Sequence, residues 1–215
     1  MVQQVVEGFR YARSEPAIIT AIGTLGAVAF LGSPIVNLVP ILAVRSFDVG
    51  AESYGVLAGA FGIGAVLGAI VLGSADGHHP FSRQIAAGLV IYVASCTALA
   101  LAPSLVFGII ALAGIGAAFL TIASTGNSVI QTISGHVMRG RMAALSLTVF
   151  GIGASSGVLV QGIVADHIGP QGTVALDGVG LAVLLTWLLL RGLLPRFDGA
   201  QAPSPAPDGP VTSPA

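Results

Sequence analysis

The sequence predicts an all-α membrane protein with six transmembrane helices arranged as a three-plus-three inverted repeat. Three observations carry that prediction. Of the 215 residues, 54% are hydrophobic, a further 30 are glycine, and only 8% are charged, against about 25% charged in a soluble domain. The few charges are confined, with no Asp, Glu or Arg in Pro16–Val44, Ser53–Ala75, Gln84–Met138 or Met142–Ala165. The apolar spans that remain also repeat in their order of length and polarity.

A spanning helix needs about 20 apolar residues, and a charge at its centre costs about 2.5–3.5 kcal/mol on insertion scales. The first charge-free window predicts a span over Ala17–Val44 and the second a span over Tyr54–Gly73. The window Gln84–Met138 is too long for one crossing at about 1.5 Å per residue of a ~30 Å core. Pro103-Ser104 is its strong turn signal, which divides it into Ile85–Ala102 and Leu105–Ile133. Met142–Val164 and Gly178–Leu194 complete the set, with 165–177 as the connecting loop. The runs do not alternate in polarity, so a transmembrane barrel is excluded.

Residues 1–16 read as a cytoplasmic amphipathic lead-in, with Val2, Val5, Val6 and Phe9 at helical spacing opposite Gln3, Glu7 and Arg10. They lack the basic start and cleavage site of a signal peptide. Residues 195–215 read as a disordered cytoplasmic tail rich in Pro, Ala and Ser. Six spans put both ends on one side. That side carries Arg10, Arg13, Arg83, Arg139, Arg141, Arg191 and Arg196, and the other only Arg45, which makes both termini cytoplasmic.

The spans run 28, 20 and 18 residues, then 29, 23 and 17. Each triplet opens with its most polar or helix-breaking member: Ser33, Pro34, Asn37 and Pro40 in one, Thr121, Ser124, Asn127 and Gln131 in the other. An odd number of spans per unit inverts the second copy, and interrupted helices at matching positions point towards a binding site. Glycines at Gly55, Gly59, Gly64 and Gly68 of the second span and Gly153 and Gly157 of the fifth predict close helix packing.

With Glu7-Gly8-Phe9-Arg10-Tyr11, Tyr54-Gly55-Val56-Leu57 through Gly68, Gln131 followed by Arg139-Gly140-Arg141, and the Asp166/Gly169 exit of the fifth span, the chain resembles the C-terminal half of a major-facilitator transporter. It is closest to the bacterial exporter branch of enterobactin and macrolide exporters, the transmembrane secretion effectors. The resemblance covers about residues 5–190. It implies that these spans correspond to helices seven to twelve of a twelve-helix carrier in a bacterial plasma membrane. It also implies that the first, second, fourth and fifth spans line a cavity, and that an N-terminal six-helix half or a second copy completes it. The implied function is export of a small amphipathic compound, a drug or siderophore, by alternating access. The alternative is a stand-alone six-helix protein without transport, either an assembly partner or the remnant of a longer gene.

Candidate cavity residues are Ser33 and Asn37 of the first span, Ser124, Asn127 and Gln131 of the fourth, and Gln161 of the fifth. Thr121, Ser124, Asn127, Ser128 and Gln131 share one helical arc, and polar groups at membrane depth face protein or water. Interhelical hydrogen bonding, about 0.6 kcal/mol per contact, explains them as well as a substrate wall does. Gly73-Ser74-Ala75-Asp76 with Arg83 resembles a degenerate copy of the family's Gly-x-x-x-Asp-x-x-Gly-Arg loop. In that reading Asp76 pairs with Arg139 or Arg141 as a conformational latch; a solvated turn is the other reading.

Neither a metal nor a cofactor is expected, since the adjacent His78 and His79 point to different faces and no Cys/His/Asp cluster has ligand spacing. Nucleic acid is excluded by the absence of a basic patch. Gly153-Ala154-Ser155-Ser156-Gly157 fits a nucleophile-elbow pattern, yet no histidine lies inside a span to act as base, so an enzyme is not expected. The charge map also leaves the spans without an internal carboxylate, with Asp177 as an interfacial cap at the outer end of the last one.

Overall fold

The computed structural model describes residues 10–33, 35–46, 52–74, 79–135 and 138–201. The elements among them are helical: α1 (Pro16–Leu31), α2 (Ile35–Ser46), α3 (Glu52–Ser74), α4 (Phe81–Ala100), α5 (Leu105–Ile133) and α6 (Arg139–Leu190), then a 3-10 helix, Leu194–Gln201. Five stretches are long and apolar enough to cross a membrane: Pro16–Leu42, Tyr54–Gly73, Phe81–Ala100, Leu105–Ile133 and Arg139–Leu190. The fourth expected span coincides with α5, because the bilayer thickness and the Pro103-Ser104 turn fix both its ends.

The first expected span is interrupted. The chain is helical to Leu31 and again from Ile35, with Pro40 inside α2. Proline has no N–H, so Pro34 cannot return a bond to the Phe30 carbonyl. The Ile35 amide donates to Gly32 O at 3.2 Å, which takes it from its helical acceptor, Leu31 O. Two carbonyls are thus released at membrane depth.

The segment expected to be a loop, 165–177, is instead helical within α6, and this corrects the sequence reading. α6 runs 52 residues, about 78 Å as a straight helix. It is not straight. Gly169 has φ 79° and ψ 166°, a conformation suited to glycine, and Pro170 opens the second arm with φ already near its helical value. Gln161 Nε2 lies 2.9 Å from Asp177 Oδ1. Sixteen residues apart in one helix they would be about 24 Å apart, so the chain doubles back at Gly169. The arms 139–168 and 170–190 form a helical hairpin.

The second arm ends on Gly192, φ 58°. Gly192 N–H donates to Leu189 O and Leu193 N–H to Leu188 O, each at 3.0 Å. This is the paired capping pattern that satisfies terminal carbonyls, and Leu188 and Leu193, the residues it joins, are both buried. Gly192→Ala is expected to cost about 1–2 kcal/mol, read as a lower midpoint in a denaturant titration of the detergent-solubilised chain. An unchanged midpoint would show that the cap contributes nothing.

A second correction concerns the C-terminal segment. The start of the tail expected to be disordered, residues 195–201, belongs to the 3-10 helix Leu194–Gln201, with Phe197 fully buried. The Asp198 carboxylate accepts bonds from Ser82 N–H at 2.9 Å and Ser82 Oγ at 2.7 Å. A carboxylate at the first turn of α4 satisfies an orphan amide and complements the helix dipole. Of the lead-in, residues 10–14 are helical; the rest of it, and 202–215, lie outside the described residues.

The core runs along the bundle axis through Leu25, Leu89, Leu112, Ile115, Ile122, Val174 and Leu181, all buried. The exposed apolar side chains Ile63, Val66, Leu67, Ile70 and Val71 make a continuous outer face on α3. The Ser82–Asp198 contact and an Arg139 Nε bond to Gln131 O at 3.2 Å gather the arginine-bearing ends at one pole of the bundle. The Gly169 turn and the break after Leu31 sit towards the other.

Candidate functional site

Between α1, α5 and the first arm of α6 lies a cleft of about 150 Å³, lined by Leu25, Phe119, Ala123, Asn127, Ser146, Leu147 and Phe150. Two aromatic rings, Phe119 and Phe150, form part of its wall, and a third, Phe61, packs against Phe119. Phe119 sits 6.0 Å from Phe61 of α3, tilted 50°, and 6.1 Å from Phe150, nearly edge-on at 63°. Such pairs contribute about 0.5–1.5 kcal/mol each beyond their buried area. Phe119, Ala123 and Asn127 reach the cleft together because residues four apart share a helix face.

The polar groups in this wall are few. Asn127 Nδ2 donates to Ala123 O at 2.9 Å, and Ser146 Oγ to Ala143 O at 3.0 Å. These bonds to their own helices fix both side chains. The Asn127 carbonyl oxygen has no donor among the described residues and remains an acceptor in the cleft wall. An apolar, aromatic pocket with a small number of fixed polar groups is the common form of a small-molecule site.

The other candidate cavity residues lie elsewhere. Ser124 is half-buried on α5, Asn37 is exposed on α2, and Ser33 is half-buried at the break after Leu31. Gln131 is exposed near the arginine-bearing pole, where its backbone carbonyl receives Arg139. Gln161 is 4% exposed and turned into the bundle, where Nε2 lies 3.1 Å from Phe30 O, 2.8 Å from Leu31 O and 2.9 Å from Asp177 Oδ1. It therefore holds the two carbonyls released at the break.

Asp177 is the largest departure from the sequence reading. Expected as an interfacial cap, it is 3% exposed inside the bundle. The Gly169 hairpin carries it inward, so a carboxylate does lie within the membrane-spanning part of the chain. The sequence signal was a lone acid eight residues past a Gly-Pro turn, the same offset at which Gln161 precedes it.

Asp76 of the expected latch lies outside the described residues. Arg83 is exposed and lines a second cavity, about 220 Å³, with Val71, Leu72, His79, Gln84 and Thr121. Arg139 is exposed and Arg141 half-buried at the same pole. Gln84 ties α4 to α5 there, accepting from Thr125 Oγ1 at 2.9 Å and donating to His79 O at 3.1 Å. The Ser156 hydroxyl of the elbow-like motif donates into its own helix, to Ile152 O at 2.6 Å and Gly153 O at 3.1 Å.

The packing glycines divide. A Cβ on Gly64 would meet the Ala113 backbone, one on Gly68 would lie 2.7 Å from Ala117 O, and one on Gly153 2.7 Å from Gly26 O. Gly157 is buried. Gly55 and Gly59 have nothing within 4 Å of a Cβ and face outwards.

Residues 1–213 match the profile of the family described as "Transmembrane secretion effector". The chain belongs to that family. Over 214 residues it is 27% identical to the enterobactin exporter EntS of Citrobacter koseri, covering 96% of this chain and 49% of that protein. Over 200 residues it is 26% identical to the enterobactin exporter EntS of Salmonella typhimurium, covering 90% of this chain and 46% of that protein. The chain thus spans about half the length of the curated relatives it matches. Among solved structures it is similar to the major facilitator superfamily proton:xylose symporter XylE bound to 6-bromo-6-deoxy-D-glucose, with a TM-score of 0.63 and 16% identity, covering 89% of this chain and 50% of that one. At that identity the likeness is one of fold. The chain thus belongs to a branch of the major facilitator superfamily, a superfamily of carriers.

Proposed function

We propose that the chain forms a six-helix half of a secondary exporter that moves a small amphipathic compound by alternating access. The observation that carries this reading is the cleft itself, whose two lining phenylalanines, Phe119 and Phe150, meet nearly edge-on beside the fixed amide of Asn127. An aromatic wall suits a planar apolar surface, and one amide oxygen suits a hydroxyl or ammonium donor. Enterobactin exporters among the relatives make a siderophore a reasonable first cargo to assay. Coupling by antiport in a bacterial inner membrane is part of the same reading.

Six crossings follow if α1 and α2 make one interrupted span and the α6 hairpin makes two. The order is then three plus three, with both termini on the arginine-bearing, cytoplasmic side. Lipid covers the exposed aliphatic face of α3, and a second six-helix half or a second copy closes the open side of the cleft. In this arrangement the arginines at the cytoplasmic pole, Arg83, Arg139 and Arg141, with Asp76, are the residues that hold one conformation closed.

In an efflux-deficient bacterium expressing the protein with its completing half, Asn127→Ala is expected to lower the export rate of a catecholate siderophore or planar dye about 5- to 150-fold. That range corresponds to one lost bond of about 1–3 kcal/mol. The abundance of the protein in membranes stays unchanged. Equal export by wild type and Asn127→Ala would sink this placement of the cargo.

A further inference from the structure

A cluster of oxygen atoms at the hairpin is short of hydrogen-bond donors. Asp177 Oδ1 accepts from Gln161 Nε2, while Asp177 Oδ2, Gln161 Oε1 and Tyr92 Oη are buried without a partner among the described residues. Gln161 Nε2 has two N–H groups facing three acceptors: Phe30 O, Leu31 O and Asp177 Oδ1. The cluster therefore holds five acceptor oxygens against two amide hydrogens and one phenolic hydrogen. An ionised carboxylate adds to that surplus, and burying a charge without donors is costly.

Among the described residues, the groups around Asp177 offer no counter-charge. From α4 come Tyr92, whose ring lies against Gly32 at the break, and Cys96, whose Cβ packs against Gly178. The first arm of α6 contributes the neutral Gln161, and α1 contributes backbone carbonyls. Tyr92, Cys96, Gln161 and Asp177 are all buried.

The geometry points to Asp177 as a proton-binding site whose proton closes a clasp between the broken first span and the Gly169 hairpin. The step is a simple protonation: a proton from water bonds to Oδ2, and the carboxylate becomes a neutral acid. Oδ2 changes from acceptor to donor, with Gln161 Oε1, in the same hydrogen-bonded pair, as its acceptor. One proton thus satisfies both orphaned atoms. Its loss returns a charge to a pocket of carbonyl oxygens and frees the segment around Ser33. Gln161 and Asp177 each lie eight residues from the Gly169 turn, about 12 Å along either arm, so that turn is the nearest end of the hairpin to the site. If the transport reading holds, this names the proton as its coupling ion.

The test uses the purified chain in lipid nanodiscs, with readouts independent of transport. Infrared titration from acidic to alkaline pH is expected to show a protonated-carboxyl band that shifts in heavy water, fades as pH rises and is missing in Asp177→Asn. Labelling of a Ser33→Cys variant by a water-soluble maleimide, corrected for the buried Cys96 in the parent and divided at each pH by the rate of an exposed reference thiol, is expected to rise about tenfold per pH unit below its midpoint. In the Asp177→Asn background it stays low at every pH, because the amide reproduces the neutral acid. Should that variant fail to fold, Asp177→Glu is expected to keep the band with a displaced midpoint. A band that survives in Asp177→Asn, or labelling that still follows pH there, overturns the proposal. Loss of the band on adding sodium at fixed pH also overturns it, by assigning the clasp to a metal cation. A titrating chain with no export in the cellular assay leaves the proton site standing and sinks the transport reading alone.

Discussion

Gln161→Leu is expected to destabilise the chain by about 2–4 kcal/mol, measured as the shift in a denaturant titration followed through Trp187, its single tryptophan. Leucine fills a similar volume, so packing is largely preserved and the loss is polar. Three acceptors lose their donor: Phe30 O, Leu31 O and Asp177 Oδ1. A buried group left unsatisfied costs about 1–3 kcal/mol, and lipid offers no hydrogen-bond donor in its place. The three losses do not add in full, because the break can relax. Gln131→Leu is the internal control. Gln131 is also a glutamine near the end of a long apolar helix, but its side chain is exposed, and its substitution is expected to fall within about 0.5 kcal/mol. Equal effects for the two variants would show that Gln161 holds nothing at the break.

The contrast between these two glutamines marks how far the sequence could be read. Helix positions were legible because the bilayer imposes a length and a charge rule that act residue by residue. Leu105–Ile133 needed no tertiary information at all. The break after Leu31 was flagged by Pro34, since a missing N–H is a property of one residue. What escaped were bonds between distant parts of the chain. Gln161 meets Phe30 across 131 positions and Ser82 meets Asp198 across 116, and no local pattern announces either. Asp177 was misread for the same reason. A lone acid at the edge of an apolar run marks an interface unless a turn folds it inwards, and Gly169-Pro170 does so here. The aromatic wall left a fainter trace. Phe61 and Phe150 are the single phenylalanines of their spans and Phe119 shares its span with Phe107, but the convergence of the three rings depends on how α3, α5 and α6 pack.

Gly64→Val and Gly116→Val are expected to cost about 3 kcal/mol or more each and to reduce the folded yield of the protein in membranes sharply. At both sites a Cβ runs into backbone: the Ala113 carbonyl for Gly64, and the Phe61 carbonyl for Gly116. Overpacking commonly costs about 1–3 kcal/mol, and a backbone atom cannot rotate away as a side chain can. Lipid supplies no hydrophobic drive between helices, so close contact is much of what holds α3 to α5. Gly116 carries a further consequence, because its neighbour Phe61 anchors the aromatic wall through Phe119. Any folded Gly116→Val protein is therefore expected to export less per molecule as well. Gly59→Val separates packing within the chain from packing against whatever covers it. Gly59 has open space around it, so its substitution is expected to leave the stability of the isolated chain within about 0.5 kcal/mol. If a second six-helix half approaches that face, the same variant lowers export and weakens capture of that half by the tagged chain. A Gly59→Val protein that is stable, captures its partner normally and exports at the wild-type rate would place the partner on another face, leaving this side of α3 to lipid.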